Sequence, residues 1–129
     1  MSITGLNHIT INVTDLEASR AFYEGVLGLI PSNFVDMGDH RLTYYQLPQN
    51  VCLELIEYDN PGEIRHYGIF ERGIYRHFCL ETDDLEAVYQ ACLAHGIQIT
   101  QAPGYVEKLQ FSNILLIDPN GVELEIIQK

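Results

Sequence analysis

"HITINVTDLEA" (residues 8–18) lies over "HFCLETDDLEA" (77–87) with His, Asp, Leu, Glu and Ala matched at an offset of 69. Further along, "PQNVCLELI" (48–56) lies over "PNGVELEII" (119–127), matching Pro, Val, Leu, Glu and Ile at an offset of 71. Two blocks in the same order, separated by a two-residue insertion, indicate an internal duplication, with copies at about 5–58 and 75–128.

Each copy reads the same way. The first block opens as a strand with period-two alternation: Ile9, Ile11 and Val13 against His8, Thr10 and Asn12, then Phe78 and Leu80 against His77, Cys79 and Glu81. A helix follows, with capping-box spacing in Thr14 with Glu17 and in Asp83 with Glu86. Apolar residues recur at helical intervals, Leu16, Tyr23, Val26 and Leu27 in one copy and Leu85, Val88, Tyr89, Cys92 and Leu93 in the other. Gly28 and Gly96 supply left-handed stops. Strands are predicted over 30–37, 41–47 and 51–58, then over 97–102, 105–110, 113–118 and 122–128, with "DPNG" (118–121) as a tight hairpin turn. The expectation is an α+β fold of two βαβββ modules forming a cupped mixed sheet with helices on the outer face. Residues 59–76 connect the copies.

The bulk numbers agree with one globular domain spanning 1–129. The chain is 47% hydrophobic and 19% charged, with no low-complexity linker. No apolar run is long enough to span a bilayer, and "MSITGLNHIT" lacks the plan of a signal peptide, so a cytoplasmic protein is expected. Cys52, Cys79 and Cys92 are odd in number and have no CxxC spacing, which argues for reduced thiols. Seven basic residues against eighteen acidic ones give a net charge of −11, which disfavours nucleic acid and anionic membranes as partners and leaves a small-molecule substrate. The same field repels anionic metabolites unless Arg41, Arg76 or Lys108 offsets it locally.

Strand parity singles out four residues. Val51, Leu53 and Leu55, like Val122, Leu124 and Ile126, share the side that packs under a helix, while Glu54 and Glu125 point the other way with His8 and His77. Taken singly, each is ordinary: a His at a strand start is usually a plain polar residue, and Glu123, in parity with Glu125, suggests a solvated face. Glu54 resists that reading, because its same-face neighbours are Cys52 and Ile56. The pairing changes the balance, since His and Glu are 46 residues apart in one copy and 48 in the other. Two imidazoles and two carboxylates form a neutral site with a divalent cation, and mixed N/O donors suit zinc, nickel, cobalt, manganese or iron(II). Other residues are read as structural: Cys52 and Cys79 as inert thiols near the site, His95 as a helix end, His40 as a turn residue, and His66 as an exposed residue in the connection. Tyr44, Tyr45, Tyr105 and Phe111 are read as core aromatics.

The segments "LNHITINVTDLEASRAFYEGVLGL", "YRHFCLETDDLEAVYQACLAHGI" and "LIDPNGVELEII" resemble the vicinal oxygen chelate superfamily, which includes glyoxalase I, bleomycin-resistance proteins and extradiol dioxygenases. The most specific parts are the H-x6-DLE-x4-FY-x3-LGL opening and the DPNG-x3-E ending. The resemblance implies paired βαβββ modules around a metal held by His8, Glu54, His77 and Glu125. It implies a glyoxalase I-like lyase or isomerase acting on the hemithioacetal of methylglyoxal and glutathione through an enediolate, with Glu125 as base and Glu54 serving the opposite face. It further implies nickel, cobalt or zinc and a homodimer. The alternatives it leaves open are a CoA-thioester epimerase, a ring-cleaving dioxygenase and a metal-free drug-binding protein.

Overall fold

A computed structural model of the chain describes residues 1–62 and 75–129. Most of the expected connection, including His66, lies outside the described residues. The chain divides into two compact units, Met1–Glu63 and Ile64–Lys129. Each carries one copy of the repeat.

The first unit runs β1 (His8–Asn12), α1 (Leu16–Arg20) continuing into a π-helical stretch (Ala21–Val26), β2 (Pro31–Asp36), β3 (His40–Leu47) and β4 (Val51–Tyr58). The second runs β5 (Phe78–Glu81), α2 (Leu85–Ala94), β6 (Gln98–Val106), β7 (Phe111–Ile117) and β8 (Glu123–Gln128). Two four-stranded mixed sheets result, ordered β1-β4-β3-β2 and β5-β8-β7-β6. In both, the first strand pairs in parallel with the last and the remaining pairs are antiparallel. The βαβββ reading holds for both copies. Among the described residues no helix is long and apolar enough to cross a membrane.

Parity behaves as the alternation predicts. Leu53 and Leu55 of β4 are buried with Ile11, Tyr45, Phe22, Tyr23 and Val26, and Leu124 and Ile126 of β8 are buried with Phe78, Leu85, Cys92, Ile114 and Leu116. Each such side chain contributes roughly 1.5–3 kcal/mol by leaving water, so these helix-side faces are the main stabilising element of each unit. In the first unit the helix meets the sheet through Tyr23 and Tyr45, whose ring centroids are 6.3 Å apart. The π-helical hydrogen bond from Leu27 N–H to the Phe22 carbonyl carries one extra residue in the turn, and sequence neighbours Phe22 and Tyr23 are both buried there. Gly28 and Gly96 adopt φ of 70° and 65°, the left-handed stops that end each helix.

Three local expectations are corrected. The helix caps are Asp15 and Asp84, one residue later than the capping-box spacing suggests, and each carboxylate accepts from the backbone N–H three residues on, Ala18 and Ala87. Glu17 and Glu86 therefore stand at the second helical position, where they cannot reach back to close a box. The two strands expected over 97–102 and 105–110 are one strand, β6, and residues 107–110 form the turn to β7. Pro103 and Gly104 do not break it, because register shifts on either side of Gln101 absorb the irregularity. Leu93, placed on the apolar helix stripe, is 52% exposed. The "DPNG" turn is as read, with the Asp118 carboxylate accepting from the N–H groups of Asn120 and Val122.

Asp84→Ala is expected to lower stability by about 1 kcal/mol in urea denaturation, with Asp83→Ala close to neutral. Tyr45 supplies a pH signature. Its buried phenol donates to Glu24 at 3.0 Å, and burial, with that bond to a carboxylate, pushes its pKa up to about 12 from 10.0. The unfolded phenol ionises first on raising the pH. Tyr45 therefore stabilises fully below pH 10.0, and this contribution is lost as the pH rises toward about 12. Tyr45→Phe should remove that part of the alkaline decline in a series of denaturation curves.

Candidate functional site

A carboxylate in the middle of a strand needs donors, and "VCLELIEY" (51–58) shows where they come from. In the first unit, register sets His8 opposite Cys52 and Thr10 opposite Glu54 across β1 and β4, and Tyr44 opposite Glu54 across β3 and β4. All lie on the sheet face away from the helix. Glu54 is only 7% exposed, and its Oε1 accepts from the Thr10 hydroxyl at 3.0 Å. The Tyr44 phenol is also hydrogen-bonded to Glu54, which pushes the phenol's pKa up. Two hydroxyl donors thus replace the water that burial removes. His8 is exposed, with its ring Nδ1 in a 2.7 Å hydrogen bond with Asn7 Oδ1. The Cys52 thiol donates to Gln46.

The second unit repeats the plan with different chemistry. Register sets Cys79 opposite Glu125 across β5 and β8, and His77 immediately precedes β5. Here the two sequence-selected residues meet directly: His77 Nε2 is 2.9 Å from Glu125 Oε2. The other ring nitrogen, Nδ1, is 2.8 Å from Glu123 Oε1, and Arg76 Nε donates to the same oxygen at 2.7 Å. Glu125 Oε1 accepts from the amide of buried Asn113 at 2.9 Å, and Asn113 Oδ1 accepts from Gln101 at 3.0 Å. Cys79 keeps solvent access as a residue, yet desolvation at the sheet face, with the adjacent Glu125 charge, holds its thiol up to about 11. Such a thiol stays protonated and is a poor nucleophile.

In the second unit the donor types suit a divalent cation, an imidazole and a carboxylate in contact with an oxygen partner on the other ring nitrogen, whereas in the first unit His8 and Glu54 share a sheet face and bond to separate partners, Asn7 and Thr10. Between His77 Nε2 and Glu125 Oε2 the separation calls for either a shared proton or a cation. Among the described residues, no group of three or more His, Cys, Asp or Glu side chains stands ready to hold an ion. One unit offers two donors.

The solvated reading of Glu123 is overturned, since its side chain is 10% exposed and engaged by both His77 and Arg76. Its parity with Glu125 was the available signal, because the same alternation that faces Glu125 toward His77 faces Glu123 there too. Thr10, Asn113 and Gln101 carried no signal, being ordinary polar residues until strand pairing brings them beside a carboxylate. Of the aromatics read as core, Tyr45 is buried, Tyr44 turns to the Glu54 side and Tyr105 is 66% exposed. His95 ends α2, with Nδ1 2.9 Å from the Ala91 carbonyl, and His40 begins β3 beside Asp39. Arg41 is engaged by Glu57 and Asp59, and Arg76 by Glu123, so neither cation is an uncommitted counter-charge for an anionic metabolite.

Residues 5–126 match the glyoxalase/bleomycin resistance protein/dioxygenase superfamily. The chain belongs to that superfamily. A lactoylglutathione lyase of Haemophilus influenzae is 26% identical over 127 residues, which cover 94% of this chain and 90% of that protein. A glyoxalase I variant from Zea mays superposes with a TM-score of 0.80 at 21% identity, covering 96% of this chain and 44% of the maize chain. TnmS3, an antibiotic binding protein from a Streptomyces species, superposes with a TM-score of 0.73 at 19% identity, covering 99% of this chain and 98% of its own. The two superpositions show a fold shared by proteins with different activities.

Asn113 has the clearest structural role in the superfamily site face. Asn113→Ala leaves Glu125 short of a donor and Gln101 short of an acceptor, and is expected to cost roughly 1–3 kcal/mol in chemical denaturation.

Proposed function

We propose that the chain is a metal-dependent lyase or isomerase of the glyoxalase I kind, taking a proton from a carbon next to a carbonyl and returning it to the neighbouring carbon. The observation that carries this reading is the His77 Nε2 to Glu125 Oε2 pair at 2.9 Å, at positions the repeat matches to His8 and Glu54. The likeness to a lactoylglutathione lyase supports it and suggests the hemithioacetal of methylglyoxal and glutathione as substrate.

The ligands in this reading are His8, Glu54, His77 and Glu125. Nickel, cobalt and zinc are the first candidates by donor type, with manganese and iron(II) also compatible. A bound divalent cation would supply Lewis acidity, lowering the cost of negative charge on the substrate oxygens as the proton leaves. The protein's own part is proton transfer and orientation. Asn113 holds one oxygen of Glu125, and in this reading the other, Oε2, leaves its contact with His77 Nε2 to take the proton from the substrate carbon as general base. Glu54, held by Thr10 and Tyr44, serves the opposite face of the substrate. One C–H and one O–H bond break on the first carbon and its oxygen, and one of each forms on the adjacent carbon and its oxygen, so no redox partner is required. A homodimer in the cytoplasm is the expected setting.

The first measurement is elemental analysis of gently purified protein, followed by assay of methylglyoxal with glutathione after nickel, cobalt or zinc is restored. Glu125→Gln is expected to lower kcat by about 10²–10⁴-fold with the circular dichroism unchanged. Glu54→Gln is expected to weaken metal retention. Silence with every metal and thiol tried would remove the glyoxalase assignment. A second reading is a metal-free binding protein, supported by the fold shared with the Streptomyces antibiotic binding protein TnmS3. Under that reading, stripped protein binds its ligand as tightly as loaded protein.

A further inference from the structure

We infer that Glu123 is the positioning residue for His77, pinning Nδ1 so that Nε2 is the nitrogen presented to Glu125 and to any cation they share. The inference concerns the ring's orientation, and its consequence for metal affinity rests on the function proposed above.

The geometry is specific. Glu123 Oε1 lies 2.8 Å from Nδ1 on one side of the ring, while Glu125 Oε2 lies 2.9 Å from Nε2 on the other. The Glu123 side chain is only 10% exposed, and a carboxylate so placed is costly unless paired. Arg76 provides the pairing at 2.7 Å on the same oxygen. When Nδ1–H donates to a carboxylate, the lone pair of the neutral ring is on Nε2, the nitrogen left for an ion shared with Glu125.

The first unit shows the same device with a weaker part. His8 Nδ1 is also pinned by an oxygen, Asn7 Oδ1 at 2.7 Å, again leaving Nε2 as the outward nitrogen. The position equivalent to Glu123 is Cys52, whose thiol donates to Gln46 rather than engaging His8. A neutral amide on an exposed residue therefore does for His8 what a buried carboxylate with its own arginine does for His77. The two histidines are alike in direction and unlike in strength. His77 is the more firmly held ring, so His77→Ala should cost more metal affinity than His8→Ala.

Three variants test this in the full chain: Glu123→Ala, Glu123→Gln and Arg76→Ala. The readouts are the affinity for cobalt(II) by chelator competition and proton NMR of the cobalt-loaded protein, where each ligating ring shows one exchangeable, strongly shifted N–H signal. Wild type should show two such signals. Glu123→Ala should lose the His77 signal to solvent exchange, keep the His8 signal and lose about 10–100-fold in affinity. Glu123→Gln retains an acceptor oxygen without charge, so it should restore the signal but only part of the affinity. Arg76→Ala should fall between Glu123→Gln and wild type. Unchanged signals and affinity in both Glu123 variants would overturn the inference. Lost affinity with both ring signals intact would also overturn it, because Glu123 would then act on the ion directly. If wild type takes up no ion, the proposed metal function fails by itself, and the ring is read in the metal-free protein instead. There, a shift of the His77 Nδ1 resonance on Glu123→Gln supports the positioning role, and an unmoved resonance refutes it.

Discussion

A carboxylate facing outward from a β-sheet into a poorly hydrated environment must be given donors or a counter-charge, and that requirement organises both halves of this protein. Glu54 is supplied by the hydroxyls of Thr10 and Tyr44, Glu125 by the Asn113 amide and the His77 ring, and Glu123 by His77 and Arg76. Each donor arrives from an adjacent strand or from the residue leading into one. The parallel pairing of first and last strand is therefore what the site depends on, because it sets Thr10 beside Glu54 and Cys79 beside Glu125. Sliding either pair by one residue would turn the carboxylates into the helix-side core, where Leu53, Leu55, Leu124 and Ile126 now pack.

The two copies keep the directions of these side chains and change their chemistry. Thr10 becomes Cys79, Tyr44 becomes Leu115 and Cys52 becomes Glu123 at equivalent positions. One carboxylate is thereby held by hydroxyl groups and the other by an amide and an imidazole. A duplicated scaffold permits this divergence because sheet parity alone aims the residues, leaving their neighbours free to tune charge and hydrogen bonding. Proteins with different activities share the backbone, as the maize glyoxalase I variant and the Streptomyces antibiotic binding protein illustrate. Function in such a family resides in those neighbours.

Much of this was legible in the chain. The repeat gave two βαβββ modules, and period-two alternation separated Leu53 and Leu55 from Glu54, and Leu124 and Ile126 from Glu125, because side chains on a strand must alternate. Gly28, Gly96 and the Asp118 turn were readable for an equally local reason, as their roles rest on backbone conformations that few residues support. The helix starts were misread by one residue, since Thr14 and Asp15, like Asp83 and Asp84, are all competent caps and only backbone geometry chooses between them. The length of β6 was misread because Pro103 and Gly104 look like a break unless the partner strand is there to absorb a bulge.

By itself, then, the sequence determined the module, the side of the sheet on which each residue lies, and the identity of four candidate donors, through short-range periodicity and the correspondence between the two copies. Only the tertiary structure decided that Glu123 engages His77 and Arg76, that Thr10 and Tyr44 supply Glu54, and that Asn113 holds Glu125. Those contacts join residues from 10 positions apart, Tyr44 and Glu54, to 47 apart, Arg76 and Glu123. A hydrogen bond depends on the register between strands that are distant in the chain, and no local pattern encodes which polar side chain a register will bring alongside a given carboxylate.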